Sequence, residues 1–311
     1  NPSYVATHPA LSIVYALDEQ EDAGTVYAYR VESRNAQVQL ELFDSCASLG
    51  ACCAHVAVDP SGQYLAASNY AGGPVTIVPL EASSGKFRQP EALVPSPPKQ
   101  AFPGPIPSRQ DRPHPHQTIF LEGSIAGGLL MATMDLGQDR VEFWRCEQGA
   151  KSTTTSVGAF YLTPGCGPRH AVHSAEHHPG WLFVACELSS TLAVCQIDAV
   201  EGTGHVVQES RIGPARGTSA WAAAAIVLDK RGERIYCSTR CEDGAGEGAL
   251  SVFRVLQGAS GQRSVECFQT IGTGGGCPRE IAISPCGSSL LVCHQDSMPF
   301  ISCFSIDSSS G

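Results

Sequence analysis

The sequence predicts an all-β protein of the β-propeller class, and three observations support this prediction. One pattern of three short apolar runs separated by turns recurs six times along the 311 residues. Further apolar runs that fit a fourth, outer strand lie between these repeats. No segment keeps the apolar spacing of three and four residues that an amphipathic helix would show. Four short strands per repeat, at a period of roughly 50 to 60 residues, are typical of propeller blades.

Each repeat follows the same order of elements. A first strand leads into a turn rich in Asp, Pro or Gly, a second strand ends in a polar residue, and a short turn leads into the third strand. The repeats read SYVATHPALSIVYALDEQEDAGTVYAYRV, HVAVDPSGQYLAASNYAGGPVTIVPL, HQTIFLEGSIAGGLLMATMDLGQDRVEFWRC, HAVHSAEHHPGWLFVACELSSTLAVCQI, AIVLDKRGERIYCSTRCEDGAGEGALSVFRV and EIAISPCGSSLLVCHQDSMPFISCFSI. The runs that fit outer strands are VQLELFDS, VGAFYLTP, VVQESRIG and VECFQTIG.

The two ends of the chain predict that one blade is incomplete. The sequence begins inside the first repeat and stops just after the third strand of the sixth. Propellers usually close by combining strands from both termini in one blade. We therefore expect a seven-bladed β-propeller with six repeats visible, forming a single domain over residues 1–311 that is truncated at both ends.

The composition fits a protein with a sizeable core and excludes some partners. Hydrophobic residues make up 42% of the chain, charged residues make up 16%, and the formal net charge is −10. This negative charge, together with the absence of a basic run, argues against a nucleic-acid surface. No apolar run reaches about 18 residues, so we expect no membrane-spanning segment. The first residues also lack the basic start and apolar core of a signal peptide.

The 14 cysteines predict buried free thiols rather than a disulfide framework or a zinc site. Most of them lie within strand-like runs, and no Cys-x-x-Cys pair occurs. A buried thiol behaves as a small hydrophobic group, and unpaired thiols are typical of a reducing compartment. We therefore expect a cytoplasmic protein, although disulfides are not excluded by the spacing. Cysteines in the strand-like runs are Cys186, Cys195, Cys237, Cys293 and Cys303.

Polar residues recur at two positions when the six repeats are aligned. The position at the end of the second strand is polar in every repeat but varies in identity, which indicates a ring of unlike groups facing a shared channel. Because strand ends are polar in many proteins, a structural origin stays open, especially for Asn69 and Asp135. The first strands start at Tyr4, His55, His116, His170, Ala225 and Glu280. The second strands end at Glu19, Asn69, Asp135, Glu187, Arg240 and Gln295.

Three arginines within these repeats predict an anion-binding site. Arg169 and Arg279 each follow a proline at the start of a first strand, and Arg240 ends a second strand. Guanidinium groups bind carboxylates and phosphates through paired hydrogen bonds. We therefore expect a small anionic partner, held by a local positive pocket within an acidic surface. The Pro-rich insertion at residues 81–112, which contains Arg109, is either a surface loop or a lid over the channel.

Five segments of the chain resemble one known family, the seven-bladed propeller lactonases. They are HVAVDPSGQYLAASNYAGG, RQDRPHPHQTIF, MDLGQDRVEFWR, GPRHAVHSAEHHPGWLFVACEL and CPREIAISPCGSSLLVCHQD. The family includes bacterial-type 6-phosphogluconolactonases and the fungal carboxy-cis,cis-muconate cyclase. The resemblance implies a site at the mouth of the central channel, with a histidine, a glutamate and two arginines. By motif, these are His116, Glu187, Arg169 and Arg240.

The resemblance implies hydrolysis of a sugar-acid lactone, and 6-phosphogluconolactone is the substrate we expect. The reaction would belong to carbohydrate metabolism and the pentose phosphate pathway. Glu187 or His116 would then act as the general base, and the arginines would hold the anion and stabilise the oxyanion. We expect no metal and no cofactor. Further candidates for substrate binding are His170, Arg279, Asn69, Gln295 and Arg109.

Two other functions remain open from the sequence. A muconate-cyclase-type, lactone-forming isomerase would need the same charges, so the residues do not separate it from a lactonase. A non-catalytic binding platform is favoured by Ala225, because the family usually has an acidic residue there. The oligomeric state is not indicated by the sequence.

Overall fold

The computed structural model describes residues 2–34, 37–71, 73–93, 102–121, 128–147, 153–214, 221–242 and 246–307. These residues form six antiparallel sheets and one short 3₁₀ helix, and the strands of each sheet follow one another in chain order. The predicted all-β propeller class is therefore confirmed. The lid prediction falls partly on residues 94–101, which lie outside the described residues. The chain divides into two compact units, which are treated separately below.

Unit 1 comprises Asn1–Phe160 and Ala199–Thr203 and holds three sheets. The predicted strands of the first three repeats are present, but the outer strand of the second sheet, β8, has only two residues. The first sheet contains β1 (Pro2–Thr7), β2 (Ile13–Asp18), β3 (Thr25–Arg34) and β4 (Gln37–Ala47). The second contains β5 (Cys53–Val58), β6 (Tyr64–Asn69), β7 (Val75–Pro79) and β8 (Glu91–Ala92). The third contains β9 (Pro115–Leu121), β10 (Gly128–Asp135), β11 (Arg140–Glu147) and β12 (Thr153–Tyr161), with the 3₁₀ helix at Leu136–Gln138.

Unit 2 comprises Tyr161–Asp198 and Gly204–Gly311 and holds the other three sheets. Two of these sheets have four strands, and the last has three within the described residues. The first contains β13 (Pro168–His173), β14 (Trp181–Cys186), β15 (Thr191–Asp198) and β16 (Thr203–Arg211). The second contains β17 (Trp221–Leu228), β18 (Arg234–Cys241), β19 (Ala249–Gln257) and β20 (Arg263–Gly272). The third contains β21 (Pro278–Ile283), β22 (Ser289–His294) and β23 (Phe300–Ser305).

Each unit is held together by apolar clusters that join neighbouring sheets. In unit 2, Phe183 of β14 and Phe253 of β19 are fully buried in one cluster. Burial of an aromatic side chain of this size contributes about 1.5–3 kcal/mol. A second cluster of unit 2 joins Val252 of β19 to Val292 of β22, and Ala225 of β17 lies within it. The alternation of apolar and polar residues thus packs sheet against sheet, as expected for blades.

The first strand of each sheet carries a β-bulge near its start, and this bulge sets the alignment of the repeats. On β9, Pro115 pairs with Asp135 and Gln117 pairs with Met134, so His116 is the extra residue. A bulge of this kind places two residues opposite one and redirects a side chain. The corresponding extra residues are Ala54 on β5, Arg169 on β13 and Arg279 on β21.

This register corrects the alignment made from the sequence at three positions. His116 corresponds to Arg169 and Arg279, and not to His170. Asn69 and Asp135 pair inside their sheets, so the residues that correspond to Glu187 follow them by one. The alignment was wrong there because apolar alternation does not reveal a single extra residue. The corrected positions are occupied by Gln117, Tyr70 and Leu136.

All 14 cysteines are described, and all are free thiols. Cys186, Cys195 and Cys237 are buried in strands, as predicted. Cys293 and Cys303 lie in strands but are exposed, which corrects the expectation of burial for these two. They belong to β22 and β23 of the three-stranded sheet. Within that part, no helix has the length and apolar character needed to cross a membrane.

Candidate active site

Glu187 directly follows β14, and its carboxylate lies between two guanidinium groups of unit 2. Nε of Arg169 is 2.9 Å from Oε2 of Glu187, and Nη2 of Arg240 is 3.0 Å from Oε1. The exposed fraction of the side chain is 4% for Arg169, 10% for Arg240 and 2% for Glu187. A carboxylate and guanidinium groups remain charged at such depth only when they are paired. Glu187 therefore holds both arginines at one place.

The bulges of β13 and β17 position Arg169. Pro168 pairs with Cys186 and His170 pairs with Ala185, which leaves Arg169 as the extra residue of β13. Its Nη1 donates a hydrogen bond of 2.6 Å to the carbonyl oxygen of Ala224, in the bulge of β17. Two irregular backbone segments are thus joined by the side chain that reaches Glu187.

A second carboxylate, that of Glu280, belongs to the same cluster. Its Oε2 is 4.0 Å from Nδ1 of His170, and its Oε1 accepts a hydrogen bond of 3.2 Å from the backbone N–H of Ile281. About 33% of the Glu280 side chain is accessible, whereas His170 is buried. Nε2 of His170 is 3.2 Å from Nη1 of Arg169. Glu280 therefore combines a buried imidazole neighbour with an accessible surface.

Burial shifts the pKa values of two members of this cluster, and the neighbouring charges modify both shifts. Burial lowers the pKa of Arg169 to about 10; Glu187 and Glu280 oppose this decrease, and Arg279 and Arg240 add to it. Burial raises the pKa of Glu280 to about 7, against the opposing effects of Arg169, the Ile281 N–H and Arg279. At neutral pH Arg169 thus stays charged, while Glu280, with a pKa of about 7, is present both with and without its proton.

Arg279 differs from the other two arginines of this cluster. It is the extra residue on the bulge of β21 and is partly exposed. It is close enough to Arg169 and Glu280 to affect both pKa values, yet it makes no hydrogen bond or ion pair with any residue that the structure describes. Arg240, by contrast, also lies 3.3 Å from Oε1 of the exposed Glu242. Arg279 is therefore available to an incoming anion.

His116 belongs to unit 1, where it lies beside Tyr70. The two rings meet edge to face with centroids 5.5 Å apart, and His116 is buried. His114 stacks on the same tyrosine at 4.5 Å, and Nη2 of Arg109 donates a hydrogen bond of 3.3 Å to its hydroxyl oxygen. Unit 1 thus brings together two of the predicted site residues, His116 and Arg109. Tyr70, which the sequence analysis did not single out, joins them.

The remaining predicted site residues have different surroundings. The side-chain amide of Asn69 donates to the carbonyl oxygens of Ser48 and Pro74, at 2.9 and 2.7 Å, so it joins the segment after β4 to the segment before β7. Gln295 directly follows β22, and its side chain is exposed. His170 lies within the cluster described above. The roles of all these residues in substrate binding remain predictions.

Ala225 occupies the position on β17 that corresponds to His170 on β13 and Glu280 on β21. It is fully buried in an apolar cluster, and its backbone N–H donates to Oγ of Ser238 at 3.1 Å. The side chain at this position of β17 is therefore a methyl group that packs in the core. In unit 2, the carboxylate at the corresponding position is that of Glu280.

Among the described residues, no group of three or more His, Cys, Asp and Glu side chains is arranged to hold a metal ion.

The fold and the cluster together define a β-propeller protein with arginines and carboxylates at the starts and ends of its strands. Comparison with known families then identifies its kind: the chain belongs to the family described as "Lactonase, 7-bladed beta-propeller", whose profile matches residues 1–311. A relative from Bacillus subtilis, named 6-phosphogluconolactonase, is 26% identical over 95% of this chain and 78% of its own length. A 6-phosphogluconolactonase from Sodalis glossinidius is 29% identical over 57% of this chain and 50% of its own length.

A solved structure of similar fold is the periplasmic gluconolactonase of Pseudomonas aeruginosa. It is 25% identical, with a TM-score of 0.81 over 100% of this chain and 83% of its own. A protein from Lactobacillus plantarum gives a TM-score of 0.80 at 26% identity, over 100% of this chain and 82% of its own. These similarities support the propeller fold and the lactonase family membership together.

Proposed function

We propose that this protein hydrolyses a sugar-acid lactone and that its substrate is 6-phosphogluconolactone. The observation that carries this proposal is the gathering of Arg169, Arg240 and Arg279 in unit 2, with Arg279 unpaired among the described residues. A lactone with a phosphate group has two negative groups that positive side chains can stabilise. One is the phosphate itself, and the other is the oxyanion that forms at the carbonyl. Relatives named 6-phosphogluconolactonase support the same substrate.

The arginines supply the electrostatic part of this reaction. When water attacks the ester carbonyl, negative charge develops on the carbonyl oxygen, and preorganised donors stabilise it. Arg169 and Arg240 are held rigidly by Glu187, so their N–H groups do not need to reorganise during the reaction. Arg279, which is partly exposed, is suited to bind the phosphate as the substrate enters. His116 remains a predicted catalytic residue.

Glu187 is better suited to hold the arginines than to act as the general base. Each of its carboxylate oxygens is already within 3.0 Å of a guanidinium nitrogen. A proton on either oxygen would neutralise the carboxylate and weaken its pairing with two buried arginines. We therefore propose that the general base is a different group of the site.

The test of this proposal compares Arg279→Ala with Arg254→Ala during hydrolysis of freshly prepared 6-phosphogluconolactone, corrected for the spontaneous reaction. Loss of a charged hydrogen bond costs about 1.5–3 kcal/mol, so we expect kcat/KM to fall roughly 10- to 100-fold in Arg279→Ala, mainly through KM. Arg254 is a matched control because it is exposed and, within the part of the chain that the structure describes, its ion pair is with the exposed Glu266. Equal activity of the two variants would contradict the anion-binding role.

The cyclase-type isomerase remains an alternative because a carboxymuconate-like diacid would use the same arginines. Wild-type protein that isomerises such a diacid and leaves the lactone at its background rate would favour it. The binding-platform hypothesis predicts that the charged residues form separate pairs. The convergence of Arg169, Glu187 and Arg240 within unit 2 speaks against it.

We also propose a cytoplasmic location and a role in carbohydrate metabolism. Free, buried cysteines such as Cys186 and Cys195 support a reducing compartment. Fractionation of cells that express the whole protein would test the location directly.

A further inference from the structure

The group that activates water can be identified from the contacts of Glu280 and His170. Glu187 and Glu242 both face Arg240, whereas Glu280 has one oxygen on the Ile281 N–H and the other facing Nδ1 of His170 at 4.0 Å. Neither oxygen lies at hydrogen-bond distance from a guanidinium nitrogen in the described part of the chain. With about 33% of its side chain accessible, Glu280 is open to water and substrate.

The tautomer of His170 follows from its contact with Arg169. A guanidinium group only donates hydrogen bonds, so Nε2 of His170, at 3.2 Å from Nη1 of Arg169, must be the acceptor. The neutral imidazole then carries its proton on Nδ1, which is the nitrogen that faces Glu280. Arg169 thus fixes the orientation of an N–H group toward the Glu280 carboxylate.

Three strands contribute the groups that face Glu280. From β13 come the cation of Arg169 and the N–H of His170; from its own strand comes the cation of Arg279. From β22 comes the thiol of Cys293, which pairs with Glu280 across the ladder and is itself affected by the carboxylate. Burial outweighs the two cations, and the pKa of Glu280 rises to about 7.

We propose that Glu280 is the catalytic base of this site and that His170 is the positioning residue that orients it. This inference rests on the lactonase function proposed above. The carboxylate of Glu280 accepts a proton from water as the water oxygen forms a bond to the lactone carbonyl carbon. The tetrahedral intermediate then breaks its bond to the ring oxygen. Protonated Glu280 returns the proton to that oxygen, which gives the open-chain hydroxy acid.

The test compares wild type with Glu280→Gln and with the control Glu266→Gln, whose carboxylate is on the exposed face of β20. Loss of general-base assistance reduces rates about 10²- to 10⁴-fold, so we expect kcat of Glu280→Gln to fall by that factor while KM changes little. In wild type, kcat/KM should rise as pH increases through about 7, because the base must be ionised. Glu280→Gln should lose this dependence, and Glu266→Gln should keep it.

Two further variants separate catalysis from folding. Glu280→Asp keeps a carboxylate, so it should recover part of the rate together with the pH dependence. His170→Gln should shift the midpoint of the pH profile, which a merely structural residue would not do. Thermal melting of each variant identifies those that fail to fold.

The outcomes distinguish this inference from the proposed function. An active wild type with an unchanged pH profile in Glu280→Gln would overturn the role of Glu280 and leave the lactonase proposal standing. A folded wild type without turnover above background would overturn both. An impaired Arg279→Ala beside an unimpaired Glu280→Gln would place the base elsewhere.

Discussion

Glu187 and Glu280 show how two carboxylates of one cluster acquire different roles from their contacts. Both oxygens of Glu187 face guanidinium nitrogens at about the distance of a strong hydrogen bond, 2.9 and 3.0 Å. Glu280 faces a backbone N–H and the imidazole of His170 instead. The first arrangement fixes the positions of Arg169 and Arg240. The second leaves a carboxylate that can gain and lose a proton near neutral pH.

The stability of the protein should reveal the proton on Glu280. The pKa of this group is raised from 4.5 to about 7 by burial, so the folded protein binds the proton more tightly than the unfolded chain. The stability contributed by this proton is present at low pH and is lost as pH rises through about 7. We expect Glu280→Gln to melt a few degrees above wild type at pH 8 and at the same temperature at pH 4. Glu266→Gln should show no such difference, and a pH-independent effect of Glu280→Gln would contradict the shift.

The strands could be predicted from the sequence, whereas the site could be predicted only in part. Alternating apolar residues and turn signals are local, so they located the first strands of all six repeats. The membership of Arg169 and Glu187 in one site was implied by family resemblance, but their pairing and the unpaired state of Arg279 depend on neighbours distant in sequence. Tyr70 was missed because an undetected bulge shifted the alignment by one residue.

At the scale of the element, the β-bulges position several of the charged side chains of the cluster. In unit 2, the extra residues of β13 and β21 are Arg169 and Arg279. Each follows a proline. Because proline has no backbone N–H to donate to the ladder, it is tolerated at the start of a strand or at a bulge. The bulge of β17 carries alanine, and its Ala224 carbonyl accepts a hydrogen bond from Arg169. Neighbouring bulges therefore act together to bring guanidinium groups to one place.

Gly248, just before β19, supports the bulge of β21. A Cβ at this position would overlap the ring of Pro278 and lie 2.8 Å from the carbonyl oxygen of Thr239. Gly248→Ala should therefore displace Pro278 and, with it, Arg279. We expect a destabilisation of about 1–3 kcal/mol, as for other overpacked sites. We also expect a raised KM for the lactone.

Gly258→Ala is the matched control for this prediction. A Cβ there would meet only the carbonyl oxygen of Gln262 at 3.7 Å, which is an ordinary contact. Melting temperatures and KM values of the two variants are compared with wild type. A Gly248→Ala protein that melts and binds like Gly258→Ala would show that Pro278 does not depend on the missing side chain.

At the scale of the whole molecule, the net negative charge and the arginines of the site have opposite effects on an anionic substrate. The net charge of −10 repels an anionic substrate at long range, while the arginines of unit 2 attract it at short range. These two effects respond differently to salt, because the Debye length falls from about 30 Å at 0.01 M to about 8 Å at 0.15 M ionic strength. Salt therefore screens the repulsion by the surface before it weakens contacts of a few ångströms.

We expect kcat/KM for 6-phosphogluconolactone to rise roughly twofold to fivefold between 0.01 and 0.15 M ionic strength, because the distant negative charges are screened first. Uncharged glucono-δ-lactone serves as the control substrate and should show little change. Both rates are measured by stopped-flow against the spontaneous hydrolysis at each salt concentration. A decrease with salt for the phosphorylated lactone alone would mean that the attraction by Arg279 and its neighbours extends beyond the site and exceeds the repulsion by the surface. An equal change for both lactones would mean that salt acts on the folded protein instead of on the approach of the anion.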